Sequence, residues 1–387
     1  MDKKNAKIGI LTFHKAINYG SVLQTWALQN TLKMNGYDSE IIDYEPKELK
    51  HIYETSLKDA KGFKRKLKRI LSFKRKVSMQ RNKFLRFRKE NLHLSKEMYS
   101  YDSDFRDIAD KYDVIITGSD QVWNTNILDC DPIFFLPFHF NGKKIAYACS
   151  VNDGQVNERF PADWLEKWLR QYDFISIREQ SGVEKISSFL NYNMTIYNTL
   201  DPTLLLDKEM YTLLIGDRIK DEHYIFLYNM WTKMEGIQVA KKVSEKLGLP
   251  VYTITNQMDM IRFVKYSHNG VKVDLQHTGP KDFLNYIYYS DFIITDSFHG
   301  TAFSIIFNKE FLTLNTHMDN GQYKNDERLK SILSNEALVE RFVKIDDIDS
   351  LDLYKRIDYT RVNEYRENLR TQSLGLLLDA IEGKINL

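Results

Sequence analysis

Short apolar runs alternate with longer stretches of helical periodicity along most of the chain, and that alternation predicts an α/β protein. Ile8-Gly9-Ile10-Leu11-Thr12-Phe13 lacks a polar face and reads as a strand buried on both sides. His14 to Gly20 form a polar loop, and Ser21 reads as the N-cap of the helix that follows. Val22, Leu23, Trp26, Ala27, Leu28 and Leu32 recur at helical spacing until Gly36 closes the segment. Glu40 to Tyr44 give the next strand, so this strand–helix–strand unit begins a parallel sheet. Further strands are predicted at 114–117, 145–150 and 174–177, with helices around Trp164 to Leu169 and from Glu179 to Leu190. Asp201-Pro202-Thr203 breaks the rhythm. Beyond it the alternation resumes, with strands at 224–228, 251–255, 292–295 and 311–315 and helices at 236–247, 281–289 and 327–333. The expectation is two Rossmann-like domains facing a cleft, residues 1–203 and 204–360. A final helix, 361–387, would pack back on the first domain.

Composition changes this picture in one place. The 387 residues are 43% hydrophobic and 28% charged, ordinary for a soluble globular chain. The net charge of +2 conceals a block, residues 58–89, with fifteen Lys or Arg and one acid. That block carries +14 and leaves −12 on the rest of the chain. Phe63, Leu67, Ile70, Leu71, Phe73, Phe84, Leu85 and Phe87 are interleaved with its charges, so about 58–91 reads as a basic helical insert in the first domain. One expectation is peripheral contact with an anionic membrane surface through 58–89; the other is a solvated insert packing on its own domain. No motif that reads DNA or RNA accompanies the block, so nucleic acid is not an expected partner. The apolar run at Ile8 to Phe13 is too short for a signal h-region or a membrane span, and the expected location is cytoplasmic. Cys130 and Cys149 imply no disulfide framework, and no cysteine–histidine spacing suits zinc. No metal is expected.

The candidate chemistry lies at strand ends. Asp296-Ser297-Phe298-His299-Gly300-Thr301 follows the strand Asp291 to Thr295, and Gly300 and Thr301 open a helix running to Phe307. Ligands bind at such strand tips in open α/β sheets, and a helix N-terminus there favours an anion. His299 is therefore a candidate proton donor beside an anion seat; the alternative is a satisfied structural histidine. Asn18-Tyr19-Gly20-Ser21 lies after the first strand, where Gly20 admits close approach and the amides of Ser21 and Val22 suit an anion. The alternative there is an ordinary turn. Gly118-Ser119-Asp120-Gln121, with Trp123 and Asn124 beyond, offers a carboxylate, amides and an indole suited to a sugar. The alternative is a helix cap with Trp123 in the core. Arg178 ends a strand and can clamp a carboxylate or phosphate; the alternative is a surface ion pair. No spaced-glycine dinucleotide fingerprint and no Walker loop are present.

Taken in order, these stretches resemble the polysaccharide pyruvyl transferase family. The matching segments are Ile8 to His14 with Asn18 to Gln24, Gly118 to Asn124, Ala146-Tyr147-Ala148, Ile177-Arg178-Glu179, Asp201 to Leu204 and Asp296 to Thr301. The resemblance implies a fold similar to the two-domain GT-B glycosyltransferases. It also implies transfer of pyruvate from phosphoenolpyruvate to two hydroxyls of a sugar in a cell-surface polysaccharide precursor. The products would be a cyclic ketal and phosphate, with no cofactor besides phosphoenolpyruvate as co-substrate. On this resemblance His299 is the general acid and Asp120 orients or deprotonates an acceptor hydroxyl. Arg178, Ser297, Gly300 and Thr301 hold the donor, and Asn18, Tyr19, Gly20, Ser21, Gln121, Trp123 and Asn124 line the acceptor side of the cleft. Some family members carry an arginine two residues before the histidine; this chain has Ser297, and Arg328 or Lys324 are candidate replacements. If the glycan acceptor is lipid-linked, the basic block would hold the protein at the inner membrane face. The competing readings are a GT-B-type glycosyltransferase using a nucleotide sugar, and a non-catalytic binding protein built around the basic block.

Overall fold

The computed structural model describes residues 6–46, 79–101, 103–230, 233–254, 260–316, 318–319, 322–323, 326–334 and 338–385. The first part of the chain runs β1 (Ile8–Leu11), α1 (Tyr19–Met34), β2 (Ser39–Glu45), α2 (79–91), β3 (Leu94–Ser100), α3 (Arg106–Ala109), β4 (Val114–Thr117), β5 (Lys143–Cys149), α4 (Ala162–Leu169), β6 (Phe174–Ile177), α5 (Gln180–Phe189) and β7 (Ile196–Asn198). Its seven strands form one parallel sheet in the order β3-β2-β1-β4-β5-β6-β7. β1, β4 and β6 are buried at every position, as a sheet covered by helices on both faces requires.

A 3₁₀ turn (Pro202–Leu205) leads through α6 (Lys208–Thr212) to the second part. It runs β8 (Ile225–Tyr228), α7 (Met234–Leu247), β9 (Val251–Thr253), α8 (Met260–His268), β10 (Lys272–Val273), α9 (Pro280–Tyr289), β11 (Phe292–Thr295), α10 (Phe298–Ile306) and β12 (Glu310–Leu314). A small hairpin, β13 (Met318–Asp319) with β14 (Gln322–Tyr323), precedes α11 (Glu327–Ile332), β15 (Phe342–Val343) and α12 (Tyr359–Glu382). The second sheet is also parallel, in the order β10-β9-β8-β11-β12-β15. The fold is therefore two Rossmann-like sheets in a GT-B-like arrangement.

Helix α12 lies against the first lobe. Lys143 Nζ donates to the Ile381 carbonyl at 2.7 Å, Tyr37 OH to Glu382 at 3.0 Å, and the Leu200 amide to Ser373 Oγ at 3.0 Å. The two lobes share one core. Its centre is α1, thirteen of whose sixteen residues are buried, which explains why its apolar positions do not fall on a single stripe. Of the basic block, residues 58–78 lie outside the described residues. The described end, α2, buries Phe84 and Phe87 and leaves Leu85 exposed. Lys83 Nζ reaches Asp282 of α9 at 2.6 Å, so α2 straps one lobe to the other.

Candidate functional site

Each sheet reverses its strand order once, between β1 and β4 in the first and between β8 and β11 in the second. The crevice outside the strand ends at such a reversal is where open α/β sheets bind ligands. Residues 18–21 and 119–121 follow β1 and β4, and Ser297 and His299 follow β11. The sequence motifs thus occupy both reversal points.

At the second, Ser297 caps α10 with an extended backbone, its Oγ accepting from the Gly300 amide at 3.4 Å. The helix therefore starts at Phe298, earlier than the expected start at Gly300, and His299 sits inside its first turn. The side-chain positions of Gly300 and Thr301 face the interior. A Cβ on Gly300 would lie 2.3 Å from Thr295 Oγ1, so this glycine lets α10 sit close on β11. Thr301 is fully buried, with its hydroxyl bonded to the Ser297 carbonyl at 3.0 Å and to Thr313 at 2.8 Å.

His299 is 7% exposed and reaches across to the first lobe. Its Nδ1 lies against Gly20, where any Cβ would come within 1.9 Å of it. Its Nε2 has no hydrogen-bond partner among the described residues and stands 3.6 Å from Asp201 Oδ2. Asp201 is held by everything around it. Its Oδ2 accepts from Ser119 Oγ at 2.7 Å and Arg178 Nη1 at 2.9 Å, and its Oδ1 from the Thr203 amide at 3.0 Å and Thr203 Oγ1 at 2.7 Å. Burial pushes the Asp201 carboxyl up, but His299, Arg178 and the Thr203 amide outweigh it and hold the group well below the carboxylate range.

Those contacts correct the expectation for Arg178. Its side chain is 1% exposed, bonded to Asp201, 3.9 Å from Asp120, 3.8 Å from Glu179, and laid over the Phe298 ring at 4.3 Å. A guanidinium sealed among three carboxylates and a ring is not open to a donor phosphate. Arg178 organises the site's acids instead.

On the first lobe, Asp120 has φ +83°, a sparsely populated conformation for a non-glycine residue and one that accumulates at functional sites. Its Oδ2 accepts from Ser21 Oγ and its Oδ1 from the Gln121 amide at 2.9 Å. Ser21 is therefore not the N-cap of α1. Asn18 is, its Oδ1 accepting from the amides of Gly20 at 2.9 Å and Ser21 at 3.3 Å. Because Gly20 touches His299 and Ser21 touches Asp120, adjacent residues of α1 join the two candidate catalytic groups. Tyr19 does not line the cleft. It is fully buried, stacked on Phe283 of α9 with centroids 4.7 Å apart, its hydroxyl donating to the Thr278 carbonyl at 3.0 Å. It is an inter-lobe wedge.

Trp123 is likewise corrected. At 1% exposure, stacked on Phe135 and bonded through Nε1 to the Phe134 carbonyl at 2.9 Å, it offers no face to a sugar. Asn124 is buried too, and its Nδ2 donates to Gln121 Oε1 at 2.8 Å and Asp153 Oδ1 at 3.0 Å. Gln121 remains half-buried at the rim. Sequence reasoning gave no role to Glu179. Its Oε1 accepts from Ser150 Oγ at 3.1 Å and from the amides of Val151 at 2.7 Å and Asn152 at 2.9 Å, fixing the loop beside Gln121. Burial raises the Glu179 carboxyl, although Arg178 and those amides oppose the shift. The Arg178-Glu179 pair was visible in the sequence, but nothing local announced the 150–152 loop as its partner.

Arg328 does come to the site. It grips Asp326 through Nε at 3.1 Å and Nη2 at 2.7 Å. Burial would lower its guanidinium, but Asp326 first, then Glu179 and Asp120, hold it above its ordinary value. Lys324 lies outside the described residues. Among the described residues no group of three or more His, Cys, Asp or Glu is arranged to hold a metal ion, and no helix is long and apolar enough to cross a membrane. The arrangement can donate a proton from His299 and accept one at Asp120, with the Arg328 guanidinium nearby as a cation.

The sequence profile described as polysaccharide pyruvyl transferase matches residues 18–318. No curated protein matches the chain. Among solved structures, UDP-GlcNAc 2-epimerase from Methanocaldococcus jannaschii aligns over 94% of this chain and 99% of its own, at 10% identity and a TM-score of 0.52. UDP-GlcNAc 2-epimerase from Neisseria meningitidis aligns over 97% of both chains at 10% identity and 0.46. MurG from Acinetobacter baumannii aligns over 98% and 99% at 10% identity and 0.41. The first of these carries the likeness of fold.

Proposed function

Because the chain belongs to the polysaccharide pyruvyl transferase family, we propose that it moves pyruvate from phosphoenolpyruvate to two hydroxyls of one sugar in a cell-surface polysaccharide precursor. The product is a cyclic ketal, and phosphate is released. The observation that supports this most is His299, a buried imidazole in the first turn of α10, joined through Gly20 and Ser21 to Asp120. An enol ether reacts with a hydroxyl only after its methylene carbon is protonated, and a positioned imidazolium suits that task. The carbon bearing the phosphate then takes the first hydroxyl. Asp120 receives that hydroxyl's proton, which departs with the phosphate when the second hydroxyl displaces it. The second hydroxyl's proton restores His299.

The donor is anionic at both its carboxylate and its phosphate. With Arg178 sealed and Ser297 standing where some family members have arginine, Arg328 and the amides of α10 supply the attraction. Gln121 and the 150–153 loop held by Glu179 form the acceptor rim. A lipid-linked acceptor would bring the basic block to an anionic inner membrane face. Vesicle flotation that ignores anionic lipid content would overturn that part.

Ser297 gives a second reading a foothold: without a cation there, the cleft also suits a nucleotide-sugar donor. Thermal denaturation with phosphoenolpyruvate, nucleotide sugars and plain phosphate separates the two, since a ligand bound only to the folded state raises Tm by mass action. A rise specific to phosphoenolpyruvate, lost in Arg328→Met, supports pyruvyl transfer. A rise with a nucleotide sugar alone overturns it.

A further inference from the structure

We propose that Asp201 is a positioning residue that fixes the tautomer of His299, so that the neutral ring keeps its proton on Nε2 and exchanges the catalytic proton through Nδ1, at the Gly20 face. The proposal rests on the reading of His299 as the acid. A neutral imidazole has one N–H, and the partner of one nitrogen decides what the other can do. Nε2 faces the Asp201 carboxylate, with Oδ2 at 3.6 Å. Hydrogen bonds between catalytic groups often reach full strength only when substrate binds. Asp201 itself cannot turn away, because Ser119, Arg178 and Thr203 occupy both its oxygens. Nε2 is buried and faces Asp201, which leaves Nδ1, beside the side-chain-free Gly20, as the other ring nitrogen.

The proton step then balances at one atom. The Nδ1–H bond of the imidazolium breaks, and its proton bonds to the methylene carbon through the π pair of the enol ether. The neutral ring that remains keeps Nε2–H toward Asp201. The proton of the second acceptor hydroxyl later restores Nδ1–H. Arg178, paired to the same Asp201 oxygen, keeps the carboxylate from capturing the proton on Nε2.

The test is ¹⁵N NMR of imidazole-labelled full-length protein at a pH where His299 is neutral, its signals assigned by their loss in His299→Gln. The expected spectrum is the Nε2–H tautomer. Asp201→Asn should convert it to a mixture and lower kcat about 10²- to 10⁴-fold with little change in KM for phosphoenolpyruvate. An Nδ1–H tautomer in the wild type overturns the proposal, as does an Asp201→Asn variant with the wild-type tautomer. If Asp201→Asn does not fold, an Nδ1–H signal in the wild type still overturns the proposal, and so does the mixture of tautomers that a free neutral imidazole shows. The tautomer is read without substrate, so an inactive wild type would overturn pyruvyl transfer and leave this result standing.

Discussion

Two histidines lie beyond the ends of central strands, His14 after β1 and His299 after β11, and each faces an aspartate. His14 faces an acceptor on each side: Nδ1 lies 3.2 Å from the Thr12 carbonyl and Nε2 2.9 Å from Asp43, with Lys15 on the same carboxylate at 2.9 Å, and a neutral ring donates to one of the two. Burial lowers the His14 imidazole despite Asp43. Burial would raise Asp43, but its hydrogen bonds from His14 and Lys15 bring it down to about 2. His299 is nearly as buried, yet its Nε2 is unmatched and its aspartate stands 3.6 Å off. A buried polar atom left without a partner costs free energy, so this one calls for an explanation. Burial and an acidic neighbour are common to both histidines; what differs is how closely the carboxylate engages the ring, 2.9 Å at His14 against 3.6 Å at His299.

The comparison breaks most sharply at His299. His299→Ala should lower pyruvyl transfer by about 10²- to 10⁴-fold while the protein still folds, read by phosphate release and calorimetry. A variant with wild-type turnover would put His299 beside His14 as structural. Gly20→Ala comes next. A Cβ 1.9 Å from Nδ1 must displace the ring, and a displacement of about 1 Å costs on the order of 10²-fold in kcat. Unchanged kcat would show that the ring does not work from this position. Arg328→Met should raise the KM for phosphoenolpyruvate about 10- to 100-fold, the equivalent of one charged hydrogen bond, with a smaller change in kcat.

His14→Gln should do the reverse of His299→Ala: lose about 1–3 kcal/mol of stability through unpaired neighbours while keeping turnover. It should also change the pH dependence. A group whose folded-state proton affinity is depressed contributes stability above its unfolded pKa, about 6.5, and loses it as pH falls. The wild type should therefore weaken as pH drops from about 6.5, and His14→Gln should flatten that slope in denaturant titrations. Smallest of all, Lys83→Met should cost about 0.2–1 kcal/mol, because the strap to Asp282 is partly solvent-exposed.

Periodicity made both sheets and most helices legible, because a parallel sheet demands uninterrupted apolar runs such as Val114 to Thr117 and Phe292 to Thr295. The place of His299 was legible for the same reason, since a histidine directly after such a run must stand at a strand tip. The roles that needed distant partners were not. Arg178 looked like a donor clamp because Asp201, twenty-three residues on, is its neighbour only in the folded chain. Ser21 and Asn18 are both good caps by type, and the hydroxyl of Ser21 was already committed to Asp120, ninety-nine residues away. Trp123 suited a sugar platform and Tyr19 the cleft wall, but an aromatic ring packs in a core at least as readily.

His299 belongs to the helix after β11, whereas Asp201 and Gly20 belong to the lobe built on β1 to β7. The proposed acid is thus divided between two bodies, like the halves of a key held by different keepers. Any rotation that parts the lobes would separate the imidazole from its carboxylate and disarm it, and closing them would rebuild it around whatever the cleft then contains. Donor activation would thereby be confined to the closed state, and a reactive cation formed there would meet the acceptor before it met water.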